Sequence, residues 1–502
     1  MSLLGIDVGT TGCKAIVFAL DGKILGQGYR EYAHTYPQPG WVEMDSDEVW
    51  AATKEAIAQA VSRAGARDPV KALAISSQGE GATPIGRDGK ALANSIVSFD
   101  NRTTTQSEWW ERQVGKRALF AITGQPLHPM YTINKIMWWR DNQPRVFERA
   151  WKFLCYEDFT IFRLGAEPAI DYSLAGRTMA FDVRAERWSQ ELLSRAGIDA
   201  DRLATVAPSG TVVGRVRDDL AHELGLPRGV AIVTGGHDQP CGALGAGIVE
   251  PRIAMDATGT VECITPALPE LTLNDAMLES NYSCYHHVAR GMYVTIAFNF
   301  TGGSLLRWYR DTLGKQERED AEAAGMEVYE MMIGLATSGP SPVMVLPHFT
   351  VSGTPWLDPY SKGAMLGLTL ATTKGDIIKA LLEGVTFEMR LNLECLWRAG
   401  VVVERLRAIG GGARSATWLQ LKADIFNRPV SALSVSEAAC LGAALLAGTA
   451  VGEYASLDEA ASRTVRVTKT YEPDPTMAAQ YDERYDIYRR LYPTLRDLLH
   501  AL

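Results

Sequence analysis

Short apolar runs that end in glycine-rich turns recur along the chain and predict β-sheets flanked by helices. The first run stops at Asp7 and resumes at Ala15 after the turn Gly9-Thr10-Thr11-Gly12, a pattern typical of a β-hairpin with a polar tip. An acidic helix start over residues 45–48 and an apolar strand over residues 70–76 follow. Strand, helix and strand in this order predict an α/β fold.

The opening pattern returns in the second half of the chain. Residues 252–264 again run from a strand through an Asp-x-x-Gly-Thr turn into another strand, which predicts an internal duplication. Two further strands end in glycine turns: residues 230–234 lead into Gly235-Gly236-His237-Asp238-Gln239, and residues 406–409 lead into Gly410-Gly411-Gly412. Glycines between a strand and a helix let the backbone approach a flat or charged ligand.

Two other stretches are predicted to serve packing rather than chemistry. Residues 438–451 are largely apolar but too few to cross a bilayer, so they predict a buried helix lying close against a neighbour. Tyr481, Tyr485, Tyr488 and Tyr492 form one stripe at helical spacing, which predicts a docking face.

Composition excludes several classes of partner. The 502 residues allow two or three domains. The net charge of −9 is spread over mixed acids and bases, so no basic stripe offers itself to nucleic acid or to an anionic membrane. The seven cysteines form no C-x-x-C pair and are odd in number, which predicts reduced thiols. Because no basic segment precedes the first apolar stretch, we expect a cytoplasmic protein.

The first hairpin carries groups suited to polyphosphate. Its tip, Gly9-Thr10-Thr11-Gly12, can turn backbone N–H groups and hydroxyls toward an anion, and Lys14 adds a positive charge. Asp7 points at the same space, where a carboxylate repels phosphate unless a divalent cation lies between them. These groups together predict a magnesium nucleotide. The alternative is a tight turn whose Asp and Thr side chains only close the loop.

Polar residues at other strand ends supply candidate ligand contacts, because ligands of α/β sheets lie in the crevice beyond those ends. Gln78, Glu80, Asp100 and Arg102 occupy such positions, with solvated loop charge as the alternative. Asp238 lies between a diglycine and a helix start. It can serve as a helix N-cap, and that role is compatible with catalysis.

Two further stretches complete a family pattern. Residues 130–138 read Met-Tyr-Thr-Ile-Asn-Lys-Ile-Met-Trp, and a second stretch runs from residues 363–367 to Glu383-Gly384. With the glycine turns, the Gly-His-Asp-Gln segment and the duplicated layout, they resemble the FGGY carbohydrate kinases of the actin and hexokinase superfamily, nearly end to end. Trp139 and Leu381 depart slightly from the usual signatures.

The resemblance implies two actin-like, ribonuclease H-like domains, residues 1–248 and 249–502, around a central cleft for ATP and sugar. ATP would lie mainly on the C-terminal domain and the sugar mainly on the N-terminal one. The family is often dimeric, which leaves a homodimer open.

By position, the resemblance also assigns roles to individual residues. Asp238 falls at the catalytic base and Asp7 at the magnesium-side carboxylate, and substrate contacts are expected at Gln78, Glu80, Asp100 and Arg102. The expected nucleotide contacts are the first phosphate loop (Gly9, Thr10, Thr11 and Lys14), the second phosphate loop (Thr258, Gly259 and Thr260) and the adenosine-side loop (Gly411, Gly412 and Ser415).

The expected reaction is ATP-dependent phosphorylation of a hydroxyl on a sugar or polyol, with Mg²⁺. Glycerol kinases carry arginine where Gly79 stands and tyrosine where Met130 stands, which disfavours glycerol. Xylulokinases carry methionine and histidine where this chain has Gly79 and Glu80; the glycine is expected to open space and the glutamate to accept hydroxyls. A ketopentose such as xylulose, a ketohexose, a tetritol or a pentitol remains open.

Two other functions fit the phosphate loops. One is an actin-like ATPase of polymer or chaperone type, and the other is a catalytically silent sugar sensor. An isolated base at Asp238 favours the kinase over the first, and the combination of Asp7, Lys14 and Asp238 counts against the second.

Overall fold

A computed structural model describes all of residues 1–502, and its two halves repeat one architecture. The first-half strands are β1 (Ser2–Val8), β2 (Gly12–Ala19), β3 (Ile24–Glu31), β4 (Glu43–Met44), β5 (Val70–Ser77), β6 (Thr83–Ile85), β7 (Ser95–Ile96), β8 (Lys152–Leu154), β9 (Ala169–Asp171), β10 (Phe181–Asp182), β11 (Arg187–Trp188), β12 (Thr205–Ala207), β13 (Val212–Arg215) and β14 (Ala231–His237). The first-half helices are α1 (Ser46–Ala64), α2 (Thr104–Gln113), α3 (Lys116–Thr123), α4 (Thr132–Asn142), α5 (Pro144–Arg149), α6 (Tyr156–Leu164), α7 (Tyr172–Gly176), α8 (Gln190–Ala196), α9 (Asp218–Leu224) and α10 (Asp238–Gly245).

The second half follows the same plan. Its strands are β15 (Ile253–Thr258), β16 (Glu262–Leu268), β17 (Tyr285–His286), β18 (Tyr293–Val294), β19 (Ala297–Asn299), β20 (Met344–Leu346), β21 (Ala364–Leu366), β22 (Arg405–Gly410), β23 (Val430–Leu433) and β24 (Val467–Tyr471). Its helices are α11 (Asp275–Glu279), α12 (Gly303–Thr312), α13 (Lys315–Ala324), α14 (Val328–Gly334), α15 (Lys374–Arg398), α16 (Ala416–Phe426), α17 (Ala438–Ala450), α18 (Leu457–Thr464), α19 (Pro475–Tyr488) and α20 (Leu491–Ala501). Short 3-10 helices span Ala200–Arg202 and Gly411–Arg414.

The two central sheets have matching topologies. The first runs in the order β13-β14-β5-β1-β2-β3, and the second contains the path β16-β15-β22-β23-β24 with β19 also paired to β16. In each, the opening strand lies antiparallel to its hairpin partner and parallel to the next long strand, as β1 does with β2 and β5 and as β15 does with β16 and β22. The predicted α/β class and the predicted duplication are therefore confirmed.

Local sequence explains how the first sheet presents its turn. Asp7 pairs with Lys14 across the hairpin formed by β1 and β2, so the two predicted charges flank the tip. Helix α1 begins after Asp45, whose side chain accepts hydrogen bonds from the N–H groups of Asp47 and Glu48, as an N-cap does. The buried face of α1 packs against β2 and β3.

Helix α17 of the second half covers one face of the first sheet and crosses α10. Leu441 and Leu445 share an apolar core with Leu3 of β1 and with Cys241 and Leu244 of α10. The predicted buried helix is thus confirmed, and it ties the two halves together. The division at residue 248 stays a prediction.

Three of the four tyrosines predicted to form one stripe share a common face, whereas Tyr492 lies in the separate helix α20 and packs with Leu346 and Leu499. Tyr481, Tyr485 and Tyr488 are buried around Phe387 of α15. Each phenol donates to a glutamate of α15, which satisfies its polar end. No helix of the chain combines the length and the apolar composition that a membrane span requires.

Candidate active site

Residues at the end of β5 and just after it hydrogen-bond to the turn between β1 and β2. The Ser76 hydroxyl donates to Asp7 Oδ1 at 2.9 Å, and burial raises the pKa of Asp7 to about 6. The Gln78 amide nitrogen donates to the Gly9 carbonyl at 3.1 Å. Packing alone requires glycine at position 12, whether or not a ligand binds, because a Cβ there would lie 2.6 Å from the Arg30 carbonyl oxygen.

Lys14 is paired with a residue of the second half of the chain. Its ammonium lies 2.5 Å from a carboxylate oxygen of Glu437, the residue that precedes α17, and both side chains are about one-third exposed at 32% and 30%. Burial alone would lower the pKa of Lys14, but pairing with Glu437 outweighs it and raises the pKa. A phosphate at the predicted place would compete with Glu437 for this cation.

A buried cation of α16, Lys422, contacts the second predicted turn, and sequence reasoning missed it. The Lys422 ammonium donates to Asp256 Oδ2 and to Thr258 Oγ1, both at 2.6 Å, and pairs with Glu262 at 2.9 Å. Because the Thr258 oxygen accepts from Lys422, its own proton is free to donate outward. Asp256 occupies the position in β15 that Asp7 occupies in β1. This correspondence was the sequence signal that could have indicated a charged group at the second turn.

The third glycine turn lies directly beside the second. Thr258 pairs with Gly410 in the parallel ladder of β15 and β22, and a Cβ at Gly412 would lie 2.7 Å from the Thr258 Cβ. Ser415 caps α16 by accepting a hydrogen bond from the Trp418 N–H. The residues predicted for the second phosphate loop and for the adenosine side are therefore brought together.

Asp238 is the first residue of α10 and lies at the end of β14. The N-cap interpretation is wrong for Asp238, because His237 occupies the N-cap position and Asp238 is already helical. Its side chain is one-third exposed. Burial, followed by the negative charges of Asp7 and Glu80, raises the pKa of Asp238 to about 8. The three predicted carboxylates therefore act on one another across the same space.

Glu80 is held in an unusual conformation by a buried network. Its backbone has φ of +61°, a region that non-glycine residues adopt mainly at functional sites. Its carbonyl accepts from Lys135 Nζ at 2.5 Å, and its carboxylate accepts from Arg177 Nε at 2.5 Å. Arg177 also donates to Gln125 Oε1 at 3.0 Å.

The neighbouring Gln78 is buried and keeps one unsatisfied acceptor. Its Oε1 has no hydrogen-bond partner within the chain. An unpartnered amide oxygen of this kind can accept a hydroxyl.

Sequence reasoning missed the partners of Glu80. Lys135 lies inside the quoted stretch of residues 130–138, so its position was the signal for it. Arg177 follows the five-residue helix α7 and is 97 positions from Glu80, so no local pattern marked it.

Asp100 and Arg102 form a pair that is largely satisfied within the chain. Arg102 Nη2 lies 2.7 Å from Asp100 Oδ2, which also accepts from the Val42 N–H at 2.5 Å. The guanidinium of Arg102 lies over the rings of Trp41 and Trp138 at 4.0 and 5.0 Å. A substrate contact by either residue stays a prediction.

Gly79 does not open the space expected of it. A Cβ there would lie 2.9 Å from His237 Nε2 and 3.0 Å from His237 Cδ2. The volume left by the missing side chain is therefore filled by the imidazole of His237.

The residues around Asp7 fit a magnesium ion that is bound mainly through phosphate. No group of three or more His, Cys, Asp or Glu side chains is arranged to hold a metal by itself. Mg²⁺ commonly takes one or two carboxylates together with substrate phosphates and waters. Asp7, with its second oxygen not engaged by Ser76, meets that requirement.

Comparisons with known proteins agree with this geometry. The model for the FGGY family of carbohydrate kinases, N-terminal domain, matches residues 2–245, and that for the C-terminal domain matches residues 256–451. A xylulose kinase of Bacillus subtilis is 27% identical over 502 residues, which are 100% of this chain and 98% of that protein. A glycerol kinase of Bordetella parapertussis is 32% identical over 490 residues, covering 94% of this chain and 92% of that one.

A solved structure extends the likeness to the whole fold. That of a gluconate kinase from Lactobacillus acidophilus superposes with a TM-score of 0.89 at 25% identity and covers 98% of both chains. Relatives with these names are phosphotransferases. The chain therefore belongs to the FGGY family of carbohydrate kinases and is an ATP-dependent sugar or polyol kinase.

Proposed function

We propose that this kinase transfers the γ-phosphoryl group of ATP to a hydroxyl of a neutral ketose or polyol, with Asp238 as the general base. The observation that carries the proposal is the position of Asp238, partly exposed at the end of β14 and within the electrostatic reach of Asp7 and Glu80. A hydroxyl is a poor nucleophile until its proton is accepted as the new bond forms. Asp238 supplies that acceptor in its ionised form, which a cation bound beside Asp7 would favour by offsetting the negative charge of Asp7 that helps to raise the pKa of Asp238.

The nucleotide would be held by both turns. Thr10, Thr11 and Lys14 are proposed for one side of the phosphates and Thr258 to Thr260 for the other, with residues 411–415 near adenosine. Mg²⁺ beside Asp7 would supply charge neutralisation of the phosphates. The N–H groups and hydroxyls of the chain then orient the terminal phosphate toward the acceptor hydroxyl, and most of the rate enhancement comes from that orientation.

The charges of the sugar side favour a neutral substrate. Arg177 is engaged by Glu80, and Arg102 is engaged by Asp100. A substrate carboxylate would have to displace one of these buried partners and leave it uncompensated. Gln78 Oε1 and Glu80 are instead acceptors for hydroxyls. A ketopentose such as xylulose, a ketohexose, a tetritol or a pentitol fits these groups.

An aldonate such as gluconate is the second candidate. The Lactobacillus acidophilus relative is named a gluconate kinase, and Arg177 is the cation that a substrate carboxylate would seek. A coupled assay of ADP release across xylulose, ribulose, fructose, erythritol, ribitol, glycerol and gluconate separates the two. We expect activity on a neutral member; turnover of gluconate alone would overturn the neutral class.

The role of the base is tested by Asp238→Asn with Asp218→Asn as its matched control. Asp218 is also the first residue of a helix, α9, but is exposed and lies outside the glycine turns. We expect sugar phosphorylation to fall by about 10²- to 10⁴-fold in Asp238→Asn, with ATP binding retained, and no change in Asp218→Asn. Residual activity near that of the parent would refute the assignment.

The same assay addresses the actin-like alternative. A polymer-forming or chaperone ATPase would release ADP without sugar and would respond to protein concentration rather than to the acceptor. ADP release that depends on a sugar or polyol supports the kinase.

A further inference from the structure

We propose that His237 is a positioning residue that holds the carboxylate of Asp238, and that Tyr285 of the second half fixes the tautomer in which His237 does so. The inference rests on the proposed role of Asp238 as base. It assigns a function to two residues that sequence reasoning left without one.

The three side chains form a chain of contacts. His237 Nδ1 lies 2.9 Å from the Tyr285 hydroxyl, and His237 Nε2 lies 3.2 Å from Asp238 Oδ1. His237 and Tyr285 are both buried, at 5% and 0% exposed. The contacts therefore lie where water competes little for them.

Hydrogen-bond chemistry selects one tautomer. Within the chain the Tyr285 hydroxyl has no other polar side-chain or backbone partner than His237 Nδ1, so it is satisfied only by donating to that nitrogen. The ring proton then resides on Nε2, 3.2 Å from Asp238 Oδ1, where a rotation of the carboxylate would bring Oδ1 into position to accept it. The opposite tautomer would set the Nε2 lone pair against a carboxylate oxygen.

The imidazole stays neutral, which makes the choice of tautomer decisive. Burial, followed by the positive charge of Arg177, lowers the pKa of His237 well below its ordinary value. A neutral imidazole carries one N–H only, so it either supports Asp238 or does not.

Packing leaves the ring little freedom to turn away. The missing side chain of Gly79 provides its seat, since a Cβ there would come within 2.9 Å of Nε2. The backbone of His237 is pinned by a hydrogen bond from its N–H to the Ser173 hydroxyl at 2.9 Å. Tyr285 in turn packs against Gly176, where an added Cβ would lie 3.3 Å from the Tyr285 Cβ.

The two carboxylate oxygens of Asp238 are proposed to have different roles. Oδ1 is the Asp238 oxygen that lies 3.2 Å from His237 Nε2, so Oδ2 is the one left to accept the proton of the substrate hydroxyl. Because Tyr285 lies in β17 of the second half and His237 lies in β14 of the first, the orientation of the base depends on the docking of the two halves.

The kinetic test uses the full-length protein with a sugar that it turns over in the panel above. We expect Tyr285→Phe to lower kcat about tenfold, the effect of losing one hydrogen bond, and His237→Leu to lower it about 100-fold through misplacement of the base. KM for ATP should be unchanged in both. His237→Gln keeps one donor and one acceptor and should recover part of the loss.

His286→Gln is the matched control. His286 is also buried, also faces a carboxylate at 3.3 Å, that of Glu186, and also packs on tyrosine rings. We expect its kcat to equal that of the parent. An equal loss in His286→Gln would mean that any buried histidine of this region gives the effect, and would overturn the proposal.

A spectroscopic test is independent of the sugar. Nitrogen-15 NMR of histidine-labelled protein, with the His237 signals identified by their loss in His237→Gln, should show a neutral ring protonated at Nε2. Tyr285→Phe should move the ring toward a mixture of tautomers. A ring protonated at Nδ1 in the parent would overturn the proposal.

The outcomes also separate this inference from the proposed function. If Asp238→Asn is inactive while His237→Leu and Tyr285→Phe match the parent, the positioning role fails and the base stands. If Asp238→Asn retains the parental rate, the proposed function itself fails.

Discussion

At the scale of single residues, Asp238 shows how a site for proton transfer conflicts with stability. Its carboxyl has an ordinary pKa of 3.8 in an unfolded chain and a pKa raised to about 8 in the folded one, first through burial and then through Asp7 and Glu80. Between these values the folded state holds the proton more tightly. The contribution of Asp238 to stability therefore falls as pH rises through this window.

Asp238→Asn should accordingly become more stable relative to the parent as pH rises from about 4 to about 8. The asparagine carries no proton to lose, so the difference isolates this one group from other titrating carboxyls. Thermal unfolding midpoints of the two proteins across that range test it, with Asp218→Asn as the control that should track the parent. A difference that is constant with pH would contradict the raised pKa.

A second residue-scale prediction concerns Gly79. Gly79→Ala would place a Cβ 2.9 Å from His237 Nε2, so the imidazole must move and its hold on Asp238 is lost. We expect kcat to fall about tenfold or more with little change in KM for ATP. Gly334→Ala, where a Cβ meets nothing within 4 Å, should behave as the parent, and a fully active Gly79→Ala would show that the glycine is not a seat for the ring.

At the scale of elements, the crossing of α10 and α17 brings the two halves into close backbone contact. A Cβ at Gly442 would lie 1.9 Å from the Cys241 carbonyl oxygen, and one at Gly245 would lie 1.8 Å from the Ala438 carbonyl oxygen. Such distances are impossible for real atoms, so either substitution forces the helices apart. The catalytic base is at the first residue of α10, which makes this crossing relevant to its position.

Gly442→Ala should therefore destabilise the protein by about 1–3 kcal/mol or more, the usual result of overpacking a core. Thr449→Ala lies on the same helix at a half-buried position and should change stability little. Thermal and urea unfolding of both variants provide the comparison. Equal stability of Gly442→Ala and the parent would show that the helices can separate without cost.

Sequence patterns identified most elements but not where they dock. The hairpin of β1 and β2 and the helix α1 were predictable because alternation and an Asp45 cap are local signals. Helix α17 is apolar on all sides, so its pattern predicts burial without naming the surface that covers it. Its place against α10 comes from glycine contacts with residues some 200 positions away, and its place on the first sheet from the close approach of Gly5 to Cys440.

The residues of the site also divide into those that the sequence predicted and those that it did not. Asp7 and Asp238 stand at strand ends, where spacing and family resemblance both pointed. Arg177, Lys422 and Tyr285 were missed because each acts through a partner distant in sequence, as Arg177 does with Glu80. Gly79 was misjudged for a related reason: the absence of a side chain predicts space only if nothing else fills it.

At the scale of the whole molecule, two ion pairs of equal length bridge the first sheet and the region of α17. Lys14 lies 2.5 Å from Glu437 at the phosphate turn, and Lys71 lies 2.5 Å from Glu453 at the far end. Both are partly exposed, so each contributes little to stability. They differ because only the Lys14–Glu437 pair involves a cation, Lys14, that we propose binds ATP.

Glu437→Gln should therefore lower KM for ATP about 1.4- to fivefold, since binding no longer has to displace a carboxylate whose pairing is worth about 0.2–1 kcal/mol. Lys14→Met should raise KM for ATP or lower kcat, because it removes the cation itself. Glu453→Gln breaks the matched pair away from the turn and should leave KM for ATP unchanged. If Glu437→Gln raises KM for ATP while Glu453→Gln does not, the displacement argument is wrong and Glu437 instead holds Lys14 in the position that binds phosphate.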